Sequence, residues 1–272
     1  MNKIIVKLNP DTPPSGTDLS VCNAARRSFN TRSDWANEED SHRLNWEPKL
    51  KDKDKRLIEF LARGMAADDF EQFKLEVGSK GLDWLYYMDN NKEGELVEQL
   101  WQWRNTPTHD TPFNHTFISF EVKLPMFTAR QLVKTEYTLI SEISRRYIVD
   151  MLEFYEHEYR NQSKDKKQGS EGNHINSGKW EALSRENAIR CVELYNKMID
   201  DGVAIEQARG ELPANLMVEW TWSGTLGAMA KMCRERMGSD AQKEAQIVAQ
   251  EVYKHLKAQW PVSAPALVEG VL

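Results

Sequence analysis

The segment HTFISFEVKLPM (115–126) most constrains how this chain can fold. Ile118, Phe120, Val122 and Leu124 alternate along it with Phe117, Ser119, Glu121 and Lys123. A period of two residues predicts a strand with one buried face. A proline ends the run, and FTARQLVKTEY after it has the pattern of a helix. The chain is therefore expected to change from strand to helix here.

Further elements alternate in type along the chain. Helical spacing of apolar residues predicts helices over KDKRLIEFLARGMA (53–66) and Trp180 to Asp200, the second ending at Gly202 in a C-terminal cap. LMVEWTW (216–222) has the pattern of a strand, and GTLGAMAKMCRERM (224–237) that of a helix. Mixed, interspersed elements of this kind predict an α+β fold.

The length of 272 residues permits one large domain or two small ones, and we expect a single elaborated domain over 1–272. A helical insertion is predicted at about 67–106, where Trp84 and the tyrosines after it suit core packing better than base stacking. Residues 162–178 are rich in Lys, Gly, Ser and Asn, which predicts a mobile loop.

Composition excludes several classes of protein. A net charge of −6 disfavours broad contact with nucleic acid, so any phosphate site should be local. No apolar run is long enough to span a bilayer, and we expect no membrane association. Three cysteines without a CxxC spacing suit a reducing, cytoplasmic location and argue against zinc. His109 and His115 form the one close histidine pair, and we expect no metal site there.

No dinucleotide-binding, P-loop, metalloprotease or serine-hydrolase motif occurs in the sequence. Polar and charged residues do lie within or beside apolar segments, where a buried charge is costly unless it is paired. They are Gln131, Glu142, Ser144, Arg146, Arg209 and Arg236. Structural ion pairs, such as Arg209 with Glu206 or Arg236 with Glu244, are one explanation. Binding of a phosphate or a nucleobase by the planar arginine fork is the other.

Matching blocks along the chain carry a family resemblance. They are AARRSF (24–29), KDKRLIEFLARG (53–64), HDTPFNHTFISFEVKLPMFTARQ (109–131), SEISRRY (141–147), GVAIEQARGELP (202–213) and RMGSDAQKE (236–244). In these blocks, and in their order, the chain resembles the flavin-dependent thymidylate synthases, the thymidylate synthase-complementing family.

The resemblance implies a mostly antiparallel central sheet flanked by helices, and a homotetramer whose active sites lie between subunits. It implies that FAD is bound and that a one-carbon unit passes from methylenetetrahydrofolate to C5 of dUMP, giving dTMP. NADPH is the implied reductant. Reduced flavin carries the difficult chemistry in such an enzyme, and no enzyme cysteine is required.

Individual residues take implied roles from the same resemblance. Those around the pyrimidine deoxynucleotide monophosphate are Gln131, Glu142, Ser144, Arg146, Arg209 and Arg236. Ser144 and Arg236 are the expected catalytic residues. For Arg236 the physical reason is that a cation at the pyrimidine carbonyl stabilises charge that develops as C5 reacts. Residues expected to contact the cofactor are His109, Thr111, Lys134, Thr135, Glu136, Thr225 and Lys231.

One motif departs from the family pattern. Relatives carry an Arg-His-Arg triplet, then seven intervening residues and a serine, and here the triplet is Lys134, Thr135 and Glu136, with Ser144 retained. A carboxylate at position 136 repels phosphate or an anionic reduced flavin.

Two alternatives to dUMP methylation therefore stay open. One is altered C5 chemistry, on dCMP or by hydroxymethylation, as a virus modifying its DNA precursors in a host cytoplasm would need. The other is a non-enzymatic nucleotide-binding paralogue without flavin.

Overall fold

The structure, a computed structural model, describes residues 3–63, 65, 109–149, 152–164 and 169–270. The chain groups into two compact units. The first, called the sheet unit, comprises Met1–Pro13, Ser119–Ser223 and Glu235–Glu251. The second, called the helical unit, comprises Pro14–Ile118, Gly224–Arg234 and Val252–Leu272. The single domain over 1–272 stays a prediction, and the insertion predicted at 67–106 lies outside the described residues.

Strands and helices alternate along the described chain. The strands are β1 (Ile5–Leu8), β2 (Ile118–Pro125), β3 (Thr138–Glu142), β4 (Arg160–Gln162), β5 (Ser170–Asn173) and β6 (Met217–Gly224). The helices are α1 (Asp18–Arg26), α2 (Asp52–Ala62), α3 (Met126–Leu132), α4 (Ser177–Asp200), α5 (Ile205–Ala208), α6 (Leu226–Met237), α7 (Lys243–Gln259) and α8 (Ser263–Val268). Short 3₁₀ helices cover Arg27–Phe29, Glu38–Asp40, Thr111–His115 and Arg209–Glu211.

Four of the strands form one sheet in the order β1-β2-β6-β3. β1 runs antiparallel to β2, with Val6 opposite Val122. The expected α+β fold, with an antiparallel sheet flanked by helices, is confirmed. Among the described residues, no helix is both long and apolar enough to cross a membrane.

The predicted strand is β2, and its apolar face is buried as the alternation requires. Ile118, Phe120 and Leu124 have no exposed surface. Ser119 on the other face is also fully buried, which the alternation did not predict. Its hydroxyl accepts a hydrogen bond from the Ser223 hydroxyl at 2.8 Å, so the buried oxygen is satisfied.

The helix after this strand is shorter than expected. α3 ends at Leu132, whereas the sequence pattern extended it to Tyr137. The carbonyl of Leu132 accepts from the Thr135 amide at 2.9 Å, and Tyr137 has a left-handed φ of 59°. The chain thus turns at positions 133–137 and leads directly into β3. This turn contains the altered triplet.

α4 confirms the longest predicted helix. The Tyr195 side chain of this helix is buried in a hydrophobic cluster with Ala208, Leu212 and Leu216, within the sheet unit. Gly202 has φ of +87°, a conformation that glycine adopts without strain, and its amide donates to the Ile199 carbonyl at 2.9 Å. The predicted C-terminal cap is therefore confirmed.

The segment predicted as a mobile loop at 162–178 has regular structure in its described part. β4 pairs antiparallel with β5, and α4 begins at Ser177. Its mobility stays a prediction.

In the helical unit, α1 packs against α2 and against the 3₁₀ helix Thr111–His115. The carboxylate of Asp54 in α2 is fully buried and ion-paired with Arg26. It also accepts a hydrogen bond of 2.6 Å from the Ser33 hydroxyl. A buried charge is costly without such partners, so these contacts stabilise the packing of α1 against α2.

Candidate active site

A cavity of about 600 Å³ in the sheet unit collects basic residues, and we call it the arginine cavity. It is bounded by α3, by the end of β3 with the turn after it, by the 3₁₀ helix Arg209–Glu211 and by β6. Its polar lining residues are Arg130, Glu142, Ser144, Arg145 and Arg209. Met126, Leu216 and Trp220 contribute apolar walls. The expected substrate residues Glu142, Ser144 and Arg209 are thus brought together in one place.

Glu142 is the acidic group in this lining. Desolvation raises the pKa of its carboxyl, while the positive charges of Arg130, Arg145 and Arg209 act to lower it. The net direction is upward, although the residue is exposed to solvent. A carboxylate near three guanidinium groups offsets part of the positive charge of the cavity and is able to accept hydrogen bonds from a ligand.

Local structure places Arg209 and Ser144 at the cavity wall. Arg209 begins a 3₁₀ helix directly after α5, and its Nε donates to the Glu206 carbonyl at 3.2 Å. Ser144 begins a tight turn, in which its carbonyl accepts from the Tyr147 amide at 3.1 Å. The Ser144 hydroxyl accepts from the Arg146 amide at 3.3 Å.

Three expected substrate residues do not line this cavity. Arg146 forms an exposed ion pair of 3.1 Å with Glu206. The Gln131 side chain donates to the Gln242 side-chain oxygen. Arg236, near the end of α6, has a buried Nε with no hydrogen-bond partner among the described residues. An unpartnered buried N–H is costly, so this atom is suited to a ligand oxygen.

The ion pairs considered from sequence spacing are not the observed ones. The Glu206 carboxylate pairs with Arg146, and Arg209 bonds to the Glu206 backbone instead. The Glu244 carboxylate pairs with Arg160 at 2.8 Å, in place of Arg236. In each case the sequence suggested a partner nearby in the chain. In the structure, Glu206 pairs with an arginine 60 positions away and Glu244 with an arginine 84 positions away, because tertiary packing brings these segments together.

A second cavity, also of about 600 Å³, lies within the helical unit, and we call it the histidine cavity. His109 and Thr111 line it together with His115, Arg26 and Ser28, while Phe29, Leu57, Phe60 and Leu61 supply apolar surface. The expected cofactor residues His109 and Thr111 therefore share one cavity. Imidazole, hydroxyl and guanidinium groups beside aromatic rings suit a large, polar, planar ligand.

The other expected cofactor residues lie elsewhere. The Thr225 hydroxyl donates to the side-chain oxygen of Asn114 at 2.6 Å, within the helical unit. Lys231 is half-buried on α6. Lys134, Thr135 and Glu136 form the turn after α3 in the sheet unit, and they line neither cavity.

Sequence reasoning missed Arg130 and Arg145 as residues that line the arginine cavity. Each is the immediate neighbour of an expected residue, Gln131 or Ser144, and this adjacency was the available signal. Across the described ranges, no group of three or more His, Cys, Asp or Glu side chains is arranged to hold a metal ion.

An α+β fold with a cavity lined by arginines is typical of proteins that bind small anionic ligands. The family model "Thymidylate synthase complementing protein" matches residues 12–262, and the chain belongs to this family.

Curated relatives agree with the family match. A flavin-dependent thymidylate synthase from Thermus thermophilus is 32% identical over 182 residues, which are 66% of this chain and 66% of the relative. One from Ehrlichia ruminantium strain Gardel is 33% identical over 171 residues, 61% of this chain and 57% of the relative. One from Ruegeria pomeroyi is 28% identical, over 81% of this chain and 72% of the relative. The chain thus spans less than two thirds of the length of the first two.

A solved structure shares the fold. The UMP/dUMP methylase PolB from Streptomyces cacaoi, bound with 5-Br dUMP, superposes with a TM-score of 0.63 at 20% identity. The match covers 97% of this chain and 94% of that one.

Proposed function

We propose that this protein is a flavin-dependent thymidylate synthase that methylates C5 of dUMP to give dTMP. The observation that carries the proposal is the arginine cavity, where Glu142, Ser144 and Arg209 meet in a member of this family. These residues lie up to 67 positions apart in the sequence, so their convergence is a property of the fold.

Each cavity residue has a role that its chemistry supports. Arg209 binds the nucleotide phosphate through charge-assisted hydrogen bonds. Glu142 accepts a hydrogen bond from the deoxyribose hydroxyl or from the pyrimidine N3–H. Ser144 orients the nucleotide through its hydroxyl. Together they hold the substrate in one pose, which lowers the entropic part of the barrier.

Gln131, Arg146 and Arg236 complete the proposed nucleotide site from outside the arginine cavity. In a homotetramer with shared active sites, these residues serve the site of a neighbouring subunit. Arg236 directs a cation at the pyrimidine carbonyl, stabilising negative charge as C5 forms its bond to the one-carbon unit.

The histidine cavity fits the proposed FAD. His109, His115, Thr111 and Ser28 provide hydrogen-bonding groups, and the Phe29 ring is 81% exposed beside them. When bound, FAD supplies the redox chemistry that reduces the transferred carbon to a methyl group. We further propose methylenetetrahydrofolate as the carbon donor and NADPH as the reductant. The remaining expected cofactor contacts are assigned to Lys134, Thr135, Glu136, Thr225 and Lys231.

The cysteines support chemistry without a thiolate nucleophile. Cys22 is buried, and burial raises its pKa to about 12. Cys233 is buried too, and desolvation raises its pKa as well. A thiol reacts as its thiolate, so neither group is active near neutral pH.

Exposed apolar residues support the proposed homotetramer. Tyr137, Leu139 and Tyr147 are 85%, 69% and 78% exposed, and they flank the segment that carries Glu142 and Ser144. Apolar surface next to a candidate site is typical of a subunit interface. We propose a cytoplasmic location, in keeping with the free cysteines.

The proposal is tested with full-length protein, FAD, NADPH and methylenetetrahydrofolate. Mass spectrometry of the products should show dUMP gaining about 14 mass units, the mass of a CH₂ group. Parallel reactions with dCMP, and a search for a gain of about 30 mass units, detect the altered chemistries. Protein that is colourless after incubation with FAD and dUMP and removal of unbound flavin, and that forms no product, would contradict the proposal.

Arg209→Gln should lower kcat/KM for dUMP by about 10- to 100-fold, because a charge-assisted hydrogen bond contributes about 1.5–3 kcal/mol. Arg190→Gln is the matched control, since Arg190 lies on α4 in an exposed pair with Glu186. It should retain wild-type activity. Equal activity of the two variants would remove Arg209 from the site.

A further inference from the structure

Gln131, one of the expected nucleotide contacts, is bound by a second glutamine. Its side-chain nitrogen Nε2 donates to Oε1 of Gln242, and both residues belong to the sheet unit. The Gln242 side chain donates in turn from Nε2 to one carboxylate oxygen of Glu244 at 3.0 Å. Three polar side chains therefore form a chain of hydrogen bonds that ends at Gln131 on α3.

The buried carboxylate of Glu244 sets the direction of this chain. Burial acts to raise the pKa of Glu244, but the hydrogen bond and charge of Arg160 lower it overall, so the group is ionised at neutral pH. An ionised carboxylate only accepts hydrogen bonds. Gln242 must therefore turn its Nε2 toward Glu244, which leaves its Oε1 to face Gln131. Because an amide oxygen also only accepts, Gln131 must donate from its own Nε2.

The residues that carry this chain are themselves anchored. Gln242 directly precedes α7, and its carbonyl accepts a helical hydrogen bond from the Gln246 amide at 2.9 Å. Arg160 on β4 holds the Glu244 carboxylate from its other oxygen, at 2.8 Å. A binding side chain that anchored neighbours keep in one orientation loses less entropy when its ligand arrives.

We infer that Gln242 is a positioning residue, which orients the Gln131 amide for the nucleotide; this inference rests on the function proposed above. While Nε2 of Gln131 is bound to Gln242, its Oε1 and its remaining N–H face a ligand in a fixed arrangement. An unrestrained glutamine amide rotates about its last torsion and exchanges the places of its acceptor and its donors. Gln242 therefore contributes to nucleotide affinity through Gln131.

The test is equilibrium binding of radiolabelled dUMP to full-length, FAD-supplemented protein. Gln242→Met keeps the size of the side chain but removes both hydrogen bonds, and it should raise the Kd by about 3- to 10-fold. Gln131→Met should raise the Kd at least as much. The double variant should bind no more weakly than Gln131→Met alone, because Gln242 acts through Gln131.

Gln259→Met is the matched control. Gln259 lies at the other end of α7, and its side chain donates to the Gly16 carbonyl at 2.8 Å. This variant also loses a hydrogen bond of a partly buried glutamine, so it should lower the melting temperature. It should leave the Kd within about twofold of wild type.

Gln242→Glu separates positioning from a packing role. The introduced carboxylate still accepts from Gln131, but it can no longer donate as an amide and it repels Glu244. The variant should therefore melt at a lower temperature than wild type while its Kd stays within about threefold. If Gln242→Met does not fold, Gln242→Asn replaces it, because a side chain shorter by one methylene group cannot span both partners.

Each result decides the inference. Wild-type affinity in Gln242→Met or in Gln131→Met overturns it, and so do losses that multiply in the double variant. An affinity that simply follows the melting temperature, with Gln259→Met or Gln242→Glu as impaired as Gln242→Met, also overturns it. Any of these results, together with methylation of dUMP by the wild type, leaves the proposed function intact. A wild type that neither binds nor methylates dUMP overturns the proposed function, and this inference with it.

Discussion

Arg160 donates a hydrogen bond of 2.8 Å from Nη2 to Oε1 of Glu244, whose side chain is only 2% exposed. Arg160 also donates from Nε to the Ser170 hydroxyl at 2.7 Å. The Gln242 side chain donates to the other carboxylate oxygen of Glu244 at 3.0 Å. The side-chain oxygen of Gln242 in turn accepts a hydrogen bond from Gln131. One buried carboxylate thus links the β4–β5 ribbon, the start of α7 and an expected substrate residue.

Arg160→Met should lower the free energy of unfolding by about 3–5 kcal/mol, because it leaves the buried Glu244 charge without its partner. Arg185→Met is the control, since Arg185 forms an exposed ion pair with Glu156 in the same unit. It should cost at most about 1 kcal/mol. Urea unfolding of both variants measures the difference, and equal costs would show that the buried pair is no stronger than a surface pair.

The Glu244 network should make stability depend on pH in the acidic range. Burial alone raises the pKa of Glu244, but the hydrogen bond and charge of Arg160 outweigh it, so the net pKa is lowered. A lowered pKa in the folded state gives stability that is present above the unfolded pKa, about 4.3. That stability is lost as the pH falls through the folded pKa.

Glu244→Gln removes this titration while keeping the shape of the side chain. Wild type should melt at a higher temperature than this variant at about pH 6–7, and the gap should narrow below about pH 4.3. Thermal melts between about pH 3 and pH 7 measure the gap. A gap that is constant with pH would mean that the carboxylate charge does not contribute to stability.

Gly227→Ala should destabilise the helical unit by about 1–3 kcal/mol through overpacking. A Cβ at this position would lie 2.5 Å from the Asn114 side-chain oxygen, which accepts the hydrogen bond from Thr225. The displaced Asn114 should also weaken FAD binding, since Thr225 is an expected cofactor contact.

Gly178→Ala is the matched control for that variant, because Gly178 lies in the first turn of α4 as Gly227 lies in that of α6. A Cβ at Gly178 meets nothing within 4 Å. This variant should be neutral or up to about 1 kcal/mol more stable, since alanine favours a helix. Chemical denaturation of both, with FAD fluorescence titration, distinguishes the clash from a general effect of losing glycine.

Glu136→Arg should tighten FAD binding by about tenfold or more, because it replaces repulsion of an anionic flavin by attraction. Glu171→Arg makes the same charge change at an exposed position of β5 and should leave the affinity unchanged. Quenching of FAD fluorescence gives both dissociation constants. Weaker binding or lower activity of Glu136→Arg would instead assign the carboxylate a part in the reaction.

Local patterns allowed much of the fold to be predicted. Alternation predicted β2 and its buried face, and helical spacing predicted α4 with Gly202 at its end. The end of α3 was not predicted, since apolar residues continue beyond Leu132 while the backbone turns. Buried Ser119 was also missed, because its partner Ser223 lies on β6, a distant strand in the sequence.

The candidate site, like the fold, has features that the sequence determined and features that only the tertiary structure decided. Sequence blocks by themselves determined the family resemblance and named Glu142, Ser144 and Arg209, because residue identity and order are properties of the chain. Only the tertiary structure decided that Arg145 lines the arginine cavity while Arg146 pairs with Glu206, 60 positions away. Adjacent arginines are chemically identical in a sequence, and the backbone turn and the packing of distant segments determine which one lines the cavity.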